Sequence, residues 1–189
     1  LLGAYAVSTF ERGGSTYAIV AAYSDDGIQI MDVSDPSNPV PVSSAPAGQG
    51  GFTELLGAYA VSTFERGDST YAIVAAISDD GIQMVDVSDP SNPVPVSSAT
   101  AGQGGFTTLH GPRAVSTFAR GGSTYAIVAA PSRNGVQLGD GGDPSNPGPG
   151  SSATAGQGAF PSPPGPPAAR TSGSGARPHA HAAGCDRTS

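Results

Sequence analysis

The stretch GIQIMDVSDPSNPVPV at residues 27–42 returns as GIQMVDVSDPSNPVPV at residues 81–96, and its pattern decides the fold. Residues 28–33 are rich in β-branched and apolar side chains bounded by turn residues, which predicts a strand. Residues 34–39 predict a turn, because an Asp and an Asn each precede a proline. Residues 40–44 predict a short strand whose proline suits a sheet edge, where a missing N–H breaks no ladder bond.

Two further strands precede this stretch. Residues 4–10 form a run of small residues, and residues 16–23 are rich in β-branched and aromatic residues. A glycine-containing hairpin loop joins the two runs. The pair Asp26-Gly27 favours a type I′ turn before the next strand. The local pattern therefore predicts four short antiparallel strands.

The whole unit is repeated. LLGAYAVSTFERG begins at Leu1 and again at Leu55, a period of 54 residues, and a worn copy begins at Leu109. Periods of roughly 20–50 residues indicate solenoids, propellers or arrays, and a repeated four-stranded meander is typical of a β-propeller blade. The small residues of the first strand favour a place near the propeller axis. The predicted fold is all-β, a partial β-propeller of three four-stranded antiparallel blades.

The predicted blades are residues 1–54, 55–108 and a degenerate 109–160, and residues 161–189 are predicted to be a disordered Pro/Gly/Ala-rich tail. The third unit carries glycine where the first carries valine, so Val33, Val40 and Val42 become Gly141, Gly148 and Gly150. Each change removes burial and adds backbone entropy. We expect the third blade to be the least ordered and its outer strands to be at risk of melting.

The stretches 27–42 and 81–96, with TYAIVAA at 16–22 and 70–76, resemble the LVIVD-repeat family. The resemblance covers residues 1–160, weakly in the third unit. It implies a β-propeller, usually on secreted or cell-surface proteins, and it supplies no catalytic residues. Closed propellers have four to eight blades. We therefore expect a fragment of a longer repeat protein, or self-association that completes the ring.

Composition excludes several partner classes. The formal net charge is −7 and all eight basic residues are arginine, which argues against nucleic acid as a partner. No apolar run approaches the ~20 residues of a membrane span. The single cysteine excludes an internal disulfide.

Aspartates are the best candidates for a metal site, because calcium prefers oxygen ligands. The eight candidates recur in both clean units: Asp25, Asp26, Asp32, Asp35, Asp79, Asp80, Asp86 and Asp89. Their spacing matches neither an EF-hand nor a nonapeptide Gly/Asp repeat. Turn formation is the preferred interpretation, so we expect no cofactor and keep calcium as the alternative.

Other candidates favour structural roles. His179, His181 and Cys185 could ligate a metal, but chance composition of the tail is the preferred interpretation. His110 stands where the first two units have Leu2 and Leu56, and it is interpreted as a loop residue rather than a general base. The recurring aromatic residues are interpreted as packing residues rather than as a glycan-stacking platform; they are Tyr5, Tyr59, Phe52, Phe106 and Phe160.

The sequence favours a non-enzymatic interaction module that presents repeated loops to an extracellular protein or polysaccharide. One alternative is a hydrolase- or lyase-type propeller with an axial pocket, for which the repeats supply only equivalent Asp and Arg positions. The other is a truncated product without independent function. No catalytic residue is assigned.

Overall fold

A computed structural model describes residues 1–155, which form three four-stranded sheets in chain order. Sheet 1 contains β1 (Ala4–Arg12), β2 (Ser15–Ala22), β3 (Gly27–Asp32) and β4 (Val40–Pro46). Sheet 2 contains β5 (Ala58–Arg66), β6 (Ser69–Ala76), β7 (Gly81–Asp86) and β8 (Val94–Thr100). Sheet 3 contains β9 (Ala114–Arg120), β10 (Ser123–Ala130), β11 (Gly135–Asp140) and β12 (Gly148–Thr154).

Every sheet is an antiparallel meander in which strands pair in sequence order. The first strands of neighbouring sheets contact each other, β1 with β5 and β5 with β9, as expected for the innermost strands of propeller blades. The fourth strand lies at the opposite edge of each sheet. The predicted all-β architecture of three four-stranded blades is confirmed.

Of the two tight turns predicted from the sequence, one is present as predicted and the other differs. Gly13 and Gly14 both have positive φ, as a type I′ hairpin turn requires. The type I′ turn predicted at Asp26-Gly27 is wrong, because Asp26 has φ +50° but Gly27 lies outside the positive-φ region. A four-residue loop, 23–26, joins β2 to β3 instead, and the Asp26 N–H donates to the Tyr23 carbonyl.

Close packing explains the glycine after that loop. A Cβ on Gly27 would lie 2.5 Å from the carbonyl oxygen of Ala45 on β4. The equivalent Cβ on Gly81 would lie 2.9 Å from the carbonyl oxygen of Ala99. Glycine is therefore needed for the approach of the fourth strand rather than for a left-handed turn.

The hydrophobic core lies between neighbouring sheets. We call the face of a sheet that looks toward the following sheet its trailing face, and the opposite one its leading face. The trailing face of sheet 1 and the leading face of sheet 2 form the first core, and sheets 2 and 3 form the second in the same way. The first core joins Ile19, Ala21, Ile28 and Ile30 to Ala72, Val74, Val85 and Val87. Only sheet 2 is therefore covered on both faces by the described chain.

The third sheet keeps all four strands, so the valine-to-glycine changes do not remove β12. Gly141 and its neighbour on the same face, Gly139, take the places of Val87 and Val85, which are fully buried against sheet 1. The expected lower order of this sheet stays a prediction. Residues 161–189, the predicted tail, lie outside the described residues.

Within residues 1–155, no helix has the length and apolar character that a membrane crossing requires.

Candidate functional site

A buried glutamine fastens the linker between sheets 1 and 2. Gln83, on the leading face of sheet 2, is 1% exposed. Its Oε1 accepts hydrogen bonds from the N–H groups of Thr53 and Glu54, each at 3.1 Å. Its Nε2 donates to the carbonyl of Ser97 at 2.8 Å. The side chain thus supplies the partners that two linker N–H groups lose when they leave water.

We call this arrangement, in which a buried glutamine binds the linker that enters its sheet, a linker seat. A second linker seat lies 54 residues later. Oε1 of Gln137 accepts hydrogen bonds from the N–H and the hydroxyl of Thr108, at 3.3 and 3.0 Å. Gln137 is also 1% exposed. Sequence reasoning missed both glutamines, because a single polar residue in an apolar strand gives no sign of a linker that packs over it.

The candidate aspartates are all engaged by their surroundings. Four of them form local turns with a residue two positions on: Asp32, Asp35, Asp86 and Asp89 accept the N–H groups of Ser34, Ser37, Ser88 and Ser91. The hydroxyls of Ser34, Ser37 and Ser91 first, and then these N–H groups, favour the carboxylate and lower the pKa of Asp32, Asp35 and Asp89. The local geometry is that of Asx turns.

The other four aspartates, Asp25, Asp26, Asp79 and Asp80, connect loops. Oδ1 of Asp26 accepts the N–H of Gly57 at 2.8 Å, and Oδ1 of Asp80 accepts that of Gly111 at 2.7 Å. Each bond joins one sheet to the next.

Asp25 and Asp79 hold equivalent places but differ in pKa. Each accepts an N–H at 2.7 Å, from Leu2 and Leu56. The hydrogen bond from Leu2 lowers the pKa of the exposed Asp25 carboxyl, whereas burial raises the pKa of the partly covered Asp79. Among residues 1–155, no three His, Cys, Asp or Glu side chains form a group that could hold a metal ion. Calcium at these positions stays a prediction.

His110 lies beside Asp80 in the loop that enters sheet 3. Its Nδ1 is 3.3 Å from Oδ2 of Asp80, and its Nε2 is 3.4 Å from a guanidinium nitrogen of Arg133. In the tautomer that satisfies both contacts, Nδ1 donates to Asp80 and Nε2 accepts from Arg133, because an arginine can only donate. Both ring nitrogens are therefore engaged in loop contacts. The other candidate ligands, His179, His181 and Cys185, lie outside the described residues.

Two equivalent grooves run along the outer side of the sheet junctions, and each has a volume of about 420 Å³. A groove is bounded by the outer strand of one sheet, by the GQG linker and by the Ser-Asn-Pro turn of the next unit. Groove 1 includes Ser43, Ser44, Gln49, Asn92, Pro93 and Val94, and groove 2 includes Ser97, Ser98, Gln103, Asn146, Pro147 and Gly148.

The grooves are neutral. In the described chain, their lining consists of Ser, Thr, Asn, Gln, Pro, Gly, Ala, Val and Phe, without a charged side chain. The Ser43 hydroxyl donates to the Pro90 carbonyl at 2.6 Å and so ties the outer strand to the next unit. Phe52 and Phe106 form the groove floors but are buried, which confirms the predicted packing role. Phe160 lies outside the described residues.

The stacked four-stranded meanders define a β-propeller repeat protein. A family model described as the LVIVD repeat matches residues 15–45 and 69–100. The family model thus recognises two copies of this repeat in the chain, one in sheet 1 and one in sheet 2. No match was found among curated proteins.

Solved structures show the same fold at low identity. The periplasmic gluconolactonase of Pseudomonas aeruginosa is 14% identical, with a TM-score of 0.58 over 82% of this chain and 40% of its own. An exo-beta-1,3-galactanase of Phanerochaete chrysosporium is 11% identical, with a TM-score of 0.57 over 78% and 35%. A Lactobacillus plantarum protein is 17% identical, with a TM-score of 0.52 over 74% and 39%. The chain thus spans at most two fifths of these structures.

Proposed function

We propose that this chain is a non-enzymatic interaction module whose equivalent grooves bind an extended segment of a partner protein. The observation that supports this function is the pair of neutral grooves, built from equivalent residues 54 positions apart. Equivalent sites on neighbouring blades suit a ligand that itself runs along the surface. An extracellular or cell-surface location rests on the family resemblance.

The groove chemistry favours polypeptide over glycan. Exposed amide and hydroxyl groups offer hydrogen bonds to a backbone, and prolines offer flat apolar surface. Sugar rings are commonly bound by stacking on exposed aromatic faces, but Phe52 and Phe106 are buried beneath the grooves. The absence of charge from the linings favours neutral side chains on the partner segment.

The test is binding of the full chain to an array of extended peptides, with a glycan array in parallel. Val94→Arg places a long charged side chain in groove 1 and is expected to weaken peptide binding at least severalfold. Leu56→Arg is the matched control, because Leu56 is 44% exposed, close to the 47% of Val94, but lines neither groove. Equal weakening by both variants, or binding to glycans alone, would contradict the proposal.

A further inference from the structure

At sheets 2 and 3, the leading face binds the linker that enters the sheet. At sheet 2, the Thr53 hydroxyl donates to the Ser98 hydroxyl, and Oε1 of Glu54 accepts the Thr100 hydroxyl. Together with the bonds to Gln83, these contacts hold residues 53–54 across β7 and β8. At sheet 3, Thr108 occupies the same place.

The equivalent pocket at sheet 1 is accessible. It has a volume of about 320 Å³ and is lined by Gln29, Ser44 and Pro46, which correspond to Gln83, Ser98 and Thr100. No residue of the described chain occupies the place that Thr53 and Glu54 hold at sheet 2. The first sheet therefore keeps a built seat for a linker that the described residues do not supply.

The leading face of sheet 1 and the trailing face of sheet 3 have no neighbouring sheet in the described chain. Each exposes side chains whose equivalents in sheet 2 are buried. Val7 on the leading face of sheet 1 is 61% exposed, whereas Val61 is 7% exposed against sheet 1. Ile127 on the trailing face of sheet 3 is 38% exposed, whereas Ile73 is 1% exposed against sheet 3. Because the residue types are identical, the difference comes only from the neighbouring sheet.

We propose that a second copy of this chain packs the trailing face of its sheet 3 onto the leading face of sheet 1. This junction continues the two that the chain already contains between its own sheets. Two copies that make the contact reciprocally supply six sheets, within the four to eight blades of closed propellers. Each copy then contributes side chains that complete the other's first sheet.

The polar groups needed for such a junction are present. At the internal junctions, Ser8 bonds Thr63 at 2.8 Å and Ser62 bonds Thr117 at 2.9 Å. At the junction between copies, the equivalent pair is Ser116 of one copy and Thr9 of the other. Both residues are solvent-accessible in the single chain. Asn134 corresponds to Asp80, and its side-chain amide oxygen Oδ1 can accept the Gly3 N–H of a second copy as Oδ1 of Asp80 accepts that of Gly111.

Arg12 and Ser43 have counterparts as well. Nε of Arg12 donates to the Ser88 carbonyl at 3.0 Å, and the Ser43 hydroxyl donates to the Pro90 carbonyl. Arg120 and Ser151 occupy the same registers on sheet 3, and the acceptors they would meet on sheet 1 are the carbonyls of Ser34 and Pro36.

Two glycines of the worn third unit lie on the face that already has a partner, whereas Gly150 takes the place of Val96, which packs against the second core. Gly139 and Gly141, in the places of two buried valines, lie on the leading face that packs against sheet 2. The trailing face of sheet 3 keeps large apolar side chains at Phe118, Tyr125, Ile127 and Leu138.

The test is the mass of the full chain by sedimentation from micromolar to submillimolar concentration. The expected species has twice the 18.5 kDa of one copy. In a sample of Val7→Asp alone or Ile127→Asp alone, both contacts between the copies carry the new charge. Each variant is therefore expected to have the mass of a single copy. Mixing the two variants restores one intact junction and is expected to return two-copy complexes, which a contact between identical faces would not do.

Leu2→Asp is the matched control. Leu2 is the more exposed residue, but its equivalent Leu56 stays exposed beside sheet 1, so Leu2 lies outside the junction. This variant is expected to keep the wild-type mass. The proposal is overturned if the wild-type chain has the mass of one copy throughout, or if Val7→Asp keeps the wild-type assembly. Val94→Arg in groove 1 leaves the mass unchanged, which separates this result from that of the peptide-binding test.

Discussion

The octapeptide STYAIVAA occurs three times, as β2, β6 and β10, and is covered differently in each sheet. The last five residues are buried in both β2 and β6, but Ala18 and Val20 on the open leading face of sheet 1 are 7% and 8% exposed, whereas their equivalents in β6 are fully buried. In β10 the isoleucine is exposed and one alanine is only partly buried. The comparison shows that the local sequence specifies the strand, whereas the neighbouring sheets complete its burial.

The largest expected effect is that of truncating the isoleucine at the covered position. Ile73→Ala is expected to lower the free energy of unfolding by about 2–5 kcal/mol, the usual range for a buried aliphatic truncation. Ile127→Ala, the same change on the open face, is expected to cost less than half of that. Urea unfolding at a concentration where sedimentation shows one copy checks this, and equal losses would contradict it.

The linker seat predicts the next largest difference. Gln83→Leu leaves the N–H groups of Thr53 and Glu54 without their acceptor, and we expect a loss of about 1–3 kcal/mol. Gln29→Leu removes no such partner within the described chain and is expected to change the unfolding free energy little. Parallel urea titrations measure both. A larger loss for Gln29→Leu would show that its seat is filled in solution.

Restoring valines in the third unit sharpens the contrast between its two faces. A Cβ on Gly141 meets its nearest atom at 3.4 Å, so Gly141→Val is expected to raise the unfolding free energy by about 1–2 kcal/mol. A Cβ on Gly150 lies 2.9 Å from the Leu138 carbonyl oxygen, so Gly150→Val is expected to give no gain. Thermal unfolding compares the two, and equal gains would refute the packing argument.

The smallest expected effect is electrostatic. Burial raises the folded-state pKa of Asp79 above its value in the unfolded chain, so ionisation of Asp79 costs stability at neutral pH. Asp79→Asn is therefore expected to stabilise the folded protein slightly at pH 7. This advantage disappears as the pH falls below the pKa of Asp79 in the unfolded chain. The hydrogen bond from Leu2 lowers the pKa of Asp25, so Asp25→Asn is expected to be slightly destabilising at pH 7. Unfolding free energies measured from pH 7 to pH 3 check both signs.

Much of the architecture can be predicted from particular residues. The β-branched run of β2 and the Gly13-Gly14 turn are local signals, and the 54-residue period supplies the stacking. The turn at Asp26 was predicted wrongly because the packing of Gly27 against β4 is a tertiary constraint that resembles a turn signal. The grooves and glutamine seats could not be predicted, since each is formed by residues of two units.

Amide hydrogen exchange by NMR over β2, β6 and β10 tests this account most directly. The three octapeptides are identical, so their intrinsic exchange rates cancel and any difference reports the structure around them. The account predicts the slowest exchange in β6, faster exchange in β2 and the fastest in β10. Exchange in β10 as slow as in β6 would contradict the claim that a neighbouring sheet, rather than the strand's own sequence, secures each blade.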